Sequence, residues 1–143
     1  MVTKLFLMTV LLAAGALLCM LNLSCRSKLQ PVQIPQIDTQ AAEQCDYLSG
    51  GGTYATQQKW HPLTEANNRE LATWLKTKSG WTRCSETVAP NVVFKNMSFN
   101  LNVTGKEAVL NYEVAKSGSW RQVCVDLQPS DEQFFEMLKA QRS

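Results

Sequence analysis

Between Met97 and Leu127 the chain alternates with a period of two. Met97, Phe99, Leu101 and Val103 are separated by Ser98, Asn100, Asn102 and Thr104. After Thr104-Gly105-Lys106-Glu107 the pattern resumes, with Ala108, Leu110, Tyr112 and Val114 against Val109, Asn111 and Glu113. After Lys116-Ser117-Gly118-Ser119 it returns as Trp120 to Leu127, with Val123, Val125 and Leu127 on one side. Successive strand side chains point to opposite faces, so each run predicts a strand with one buried and one wet face. Three such strands joined by glycine-bearing turns predict an antiparallel meander.

Two helical patterns supply its cover. Thr64 suits an N-cap with Glu65 in the first turn, Leu71, Trp74 and Leu75 stand at i, i+3, i+4, and Gly80 suits the left-handed residue past the end. This predicts a helix over 65–78 with Trp74 as a core anchor. Near the C-terminus, Ser130 with Gln133 forms a capping-box pattern, Asp131 and Glu132 occupy the first turn, and Phe134, Met137 and Leu138 line one face beside Phe135. The expected fold is α+β: a three- to four-stranded antiparallel meander with both amphipathic helices on one face. The expected domain spans residues 41–143, and a short strand is expected from Thr53 to Trp60.

The N-terminus has a different character. Leu5 to Leu23 carries no charge, and Arg26 and Lys28 follow it. At about 1.5 Å per residue a helix of this length spans roughly 30 Å, the thickness of a bilayer core. Residues 1–25 are therefore expected to be a transmembrane or signal helix. Three outcomes are open: a retained signal anchor, a bacterial lipoprotein signal with Cys25 as the lipidated residue, and ordinary cleavage nearby. Leu23-Ser24-Cys25 resembles the end of a lipobox, although Asn22 and Leu23 fit that pattern poorly. Residues 26–40, rich in Gln and with Pro31 and Pro35, are expected to form an extended tether. Val32, Ile34 and Ile37 within it are apolar enough to dock on the domain.

An exported domain changes the meaning of its cysteines. Of five cysteines, Cys45, Cys84 and Cys124 fall in the domain. An odd number permits one internal disulfide, and Cys84–Cys124 is the first choice in an oxidising compartment. Both residues lie in or beside strands, and Cys45–Cys84 and Cys45–Cys124 stay open. A Cys₃His zinc site with His61, the only histidine, lacks the closely spaced ligand pairs such sites use. Gly50-Gly51-Gly52 has no phosphate-loop fingerprint around it. Charged residues make up 18 % of the chain and the net charge is +2, without a basic cluster of the kind nucleic acid requires. No catalytic constellation is recognisable, and no metal or cofactor is expected. Asn96-Met97-Ser98 and Asn102-Val103-Thr104 match the N-glycosylation pattern, which has meaning only in a eukaryotic secretory route.

The segments "LATWLKTKSGW", "APNVVFKN" and "EAVLNYEV" together resemble small exported bacterial proteins, immunity proteins against secreted toxins and envelope lipoproteins among them. The resemblance covers about half the chain and carries no catalytic motif. Together with the apolar N-terminus, the tether, the expected disulfide and the missing catalytic constellation, it leads to the expectation of a membrane-tethered, periplasm-facing domain that binds a protein partner in the cell envelope without catalysis. A structural subunit of a secretion or conjugation assembly is the alternative, and a small envelope hydrolase using Cys84 or His61 is a third. The expected binding residues are Asn100 and Asn102, on the wet strand face, and Trp60, which has no helical core partner.

Overall fold

A computed structural model describes residues 30–46, 59–115 and 117–141. The expected signal helix, Cys25, the glycine triplet and most of the expected 53–60 strand lie outside the described residues. Among the described residues no helix is long and apolar enough to cross a membrane.

Among the described residues seven strands form one antiparallel sheet: β1 (Glu43–Asp46), β2 (His61–Pro62), β3 (Thr82–Arg83), β4 (Val92–Lys95), β5 (Phe99–Val103), β6 (Glu107–Glu113) and β7 (Trp120–Asp126). Their spatial order is β2-β1-β4-β5-β6-β7-β3. The fold is α+β with an antiparallel sheet, as the alternation requires. The strand count is larger than expected, however. β4 to β7 make the meander, β1 and β2 extend one edge, and β3 closes the other. Four-residue and two-residue strands are too short to show a period, so these additions leave no pattern in the sequence.

Register assigns the faces. Phe94, Leu101, Leu110 and Val123 lie in one cross-strand row, and Val92, Val103, Ala108 and Val125 in the next. These residues are buried in a single core cluster with residues of both helices. The helices are α1 (Glu65–Thr77), which supplies Leu71, Trp74 and Leu75, and α2 (Pro129–Ala140), which supplies Phe135 and Leu138. Trp74 is the centre of an aromatic cluster. Its ring meets Phe135 edge-on at 4.8 Å and Trp81 edge-on at 5.9 Å, and it stacks on Phe134 at 6.1 Å. Such pairs contribute beyond their buried area because ring edges and faces carry opposite partial charge.

The ends of α1 match the sequence. Thr64 Oγ1 accepts from the Asn67 amide at 3.2 Å, and Gly80 takes a positive φ of 86°. Thr64→Ala is expected to lower stability by about 1 kcal/mol, read as a shift of the urea midpoint at unchanged slope. A shift indistinguishable from zero would mean that water caps this terminus equally well.

The start of α2 differs from expectation. Gln128, not Ser130, is the N-cap, and Pro129 takes the first helical position, where its missing donor costs nothing. Asp131 then falls at the third position and accepts from the Gln128 amide at 2.7 Å. Met137 points away from the core and is partly exposed.

Three further expectations change. Val32, Ile34 and Ile37 pack against the core, and the Val32 amide donates to the Trp81 carbonyl at 2.7 Å. The compact unit therefore begins at Pro31 and includes residues 31–40, and the earlier part of the expected tether lies outside the described residues but for Gln30. Met97 is 95 % exposed, although it continues the alternation of Phe99. Asn96 ends that alternation: its Oδ1 accepts from the amides of Ser98 and Phe99, forming a tight turn. Its Nδ2 donates to the carbonyls of Asp38 and Gln40, tying the turn to the N-terminal segment. A glycan on that nitrogen would replace one of its two hydrogens and so break one of these bonds.

Candidate functional site

The sheet face away from the helices carries the residues left for binding. Its register makes one polar row: Glu43, Lys95, Asn100, Asn111 and Gln122, contributed by five adjacent strands. Adjacent strands lie about 4.8 Å apart, so the row runs roughly 19 Å across the sheet. Trp60 joins it at one end, with Lys95 Nζ 3.7 Å from the ring centroid. That cation–π contact fixes both side chains on the same patch. Among the described residues the buried Oδ1 of Asn100 has no hydrogen-bond partner. An unmet buried acceptor of this kind is costly.

The next row is different. Cys45, Val93, Asn102, Val109 and Cys124 lie side by side, and all but the half-buried Asn102 are buried. The connection from β3 to β4 accounts for part of this cover. It starts at one edge of the sheet and has to pass β7, β6 and β5. Gln122 Nε2 donates to the Glu86 carbonyl at 2.7 Å, and the Asn91 amide donates to the Val103 carbonyl at 2.7 Å. Asn102 thus sits in an apolar row, while Asn100 belongs to the polar one.

Beyond the polar row the sheet ends in an open patch. Trp120 pairs with Glu113, whose amide donates to the Ser98 carbonyl at 3.0 Å. Trp120 is 52 % exposed, and Met97 adjoins Ser98, so two large apolar side chains are exposed at one end of the sheet. A cleft of about 640 Å³ opens at the same end, lined by Ile34, Ile37, Tyr112, Glu113, Val114 and Arg121 among others.

Of the residues expected to bind, Trp60 and Asn100 therefore meet through Lys95, and Asn102 lies one row away. Lys95, Asn111, Gln122 and Trp120 are not legible as one patch in the sequence, because they come from three different strands. Alternation says which face each occupies, and only register says that they form a row.

Cys84 and His61 do not meet. His61 pairs with Gln44 on the helix side of β2, and Cys84 follows β3 at the opposite edge. Six strand spacings separate those edges, roughly 29 Å. Cys84 and His61 therefore form no dyad in this fold. Among the described residues no group of three or more His, Cys, Asp or Glu side chains is placed to hold a metal ion. Cys84 and Cys124 are free thiols. Comparison with family models, curated proteins and solved structures finds no match.

Proposed function

We propose that this chain is a membrane-tethered, periplasm-facing domain that binds a protein partner in the cell envelope and has no catalytic role. The observation that carries the reading is the polar row of Lys95, Asn100, Asn111 and Gln122, with Trp120 and Met97 exposed at the adjoining end of the sheet. Trp and Met are enriched in the centres of protein interfaces, where amide side chains supply directional hydrogen bonds. The apolar run before Arg26 supports attachment to the membrane, as signal anchor or through a lipid on Cys25. Neutralising an incoming toxin is the version favoured by the resemblance to immunity proteins.

Site-specific photo-crosslinking in the membrane fraction of a bacterial host tests it. A photoreactive side chain at position 120 is expected to yield one discrete adduct, and the same group at Arg69, on the exposed side of α1, none. Trp120→Ala is expected to weaken binding to the crosslinked partner about thirtyfold, the effect of losing an interface hot spot. Equal labelling from both positions would remove this surface from consideration. If the partner proves to be a secretion or conjugation component, the structural-subunit reading replaces the toxin version.

A further inference from the structure

We infer that Cys84 and Cys124 form one intramolecular disulfide when the exported chain meets a low-molecular-weight disulfide, stapling β3 and the connection behind it to β7. This rests on the register of the sheet and stands apart from the binding reading. Thr82 pairs with Cys124 and Arg83 with Val123, so Cys84 follows on the same face as Thr82 and Cys124. Thr82 Oγ1 lies 4.0 Å from Cys124 Sγ. The Cys124 thiol is near enough to Cys84 to help push its pKa up.

The third thiol is placed where it cannot compete. Cys45 shares a row with Cys124, but β4, β5 and β6 lie between their strands. Four strand spacings amount to roughly 19 Å, far beyond the Cα separation a disulfide allows. The two pairings that spacing alone left open are therefore closed by topology.

The site also has a reason to be stapled. β3 holds the sheet edge with only two paired residues, and it starts the connection that passes over the outer face. A bridge between Cys84 and Cys124 would fix that edge in the folded state and shorten the reach of the unfolded chain.

The chemistry is thiol–disulfide exchange. Cys84, the more exposed of the two, loses its proton and attacks one sulfur of the donor, for example oxidised glutathione. The donor S–S bond breaks and its first half leaves as a thiol after taking up a proton. Cys124 then loses its proton and attacks the Cys84 sulfur of the mixed disulfide, expelling the second half as a thiol. Two protein thiols are oxidised by two electrons, and one donor disulfide is reduced to two thiols. Burial, followed by the neighbouring Cys124 thiol, pushes the Cys84 thiol up to about 12. Uncatalysed closure is therefore slow at neutral pH, and its rate rises about tenfold per pH unit as the thiolate fraction grows.

The test uses the full chain in detergent, incubated with oxidised glutathione, alkylated, digested with trypsin and weighed without reduction. Trypsin separates the three domain cysteines into peptides 29–59, 84–95 and 122–139. The expected product joins 84–95 to 122–139 through one S–S bond, with Cys45 recovered alkylated. The oxidised chain is expected to melt roughly 10 °C or more above the reduced one, and Cys45→Ser to behave in the same way. A bond to Cys45, a lasting glutathione adduct on Cys84, or three alkylated thiols after prolonged oxidation at pH 9 would each overturn the inference.

Discussion

Trp74→Ala is expected to remove about 3–5 kcal/mol of stability, enough to unfold a large fraction of a marginal domain. The ring is 8 % exposed and touches three other aromatic rings, Trp81, Phe134 and Phe135. Truncation loses the transfer energy of the ring and leaves a cavity between α1, α2 and the sheet. It also removes the indole Nε1 donor, which lies 2.8 Å from Asp131 Oδ1. Trp74→Phe keeps much of the volume and loses the donor, and is expected to fall between the two. Urea unfolding followed by far-ultraviolet circular dichroism measures both. A Trp74→Ala loss below about 1 kcal/mol would show that the surrounding rings collapse onto the vacancy, and that Trp74 is not the hub of the core.

Asp131→Ala is expected to cost about 3 kcal/mol at pH 7 and progressively less as the pH falls below about 4. The carboxylate forms an ion pair with Lys78, and both side chains are nearly buried, at 11 % and 13 % exposure. Removing one member leaves a desolvated ammonium without its partner, which costs more than the pair itself contributes. Burial raises the Asp131 pKa. The hydrogen bonds from Lys78, the Gln128 amide and the Trp74 indole outweigh it, and the net shift is downward. A carboxyl depressed in the folded state binds its proton more readily when unfolded. Its contribution is therefore complete above the ordinary aspartate value of about 4 and fades as pH falls through the lowered folded value. Wild-type stability should decline along this acid limb while Asp131→Ala declines less. A difference between the two that stays constant from pH 7 to pH 3 would sink the linkage. Because Trp74 and Asp131 touch, their double variant should lose less than the sum of the single losses.

The two residues show how differently parts of the structure are legible in the sequence. Trp74 was readable as a core anchor, since Leu71 and Leu75 share its helix face. Asp131 read as an ordinary first-turn acid. Its burial depends on Lys78 and Trp74, 53 and 57 residues away in the chain. The same contrast holds for the candidate site. Asn100 was visible as wet-face polar, but its row with Lys95, Asn111 and Gln122 was not. Met97 followed the strand pattern and is nevertheless exposed, because the Asn96 side chain bends the backbone before it can join β5.

By itself the sequence determined what depends on neighbours within a few residues. The alternation specified β5, β6 and β7 and their faces, and Thr64, Leu71, Trp74, Leu75 and Gly80 marked the cap, stripe and exit of α1. These signals are local because strand pleat and helical turn repeat every two and 3.6 residues. Tertiary structure alone decided the rest: that β1, β2 and β3 join the meander, that Pro31 to Gln40 belongs to the domain, and that Cys84 lies beside Cys124 and away from Cys45. Each of these depends on backbone hydrogen bonds or packing between distant segments. Such contacts form wherever the whole chain satisfies its donors and buries its apolar faces, and two-residue strands leave no period by which to foresee them.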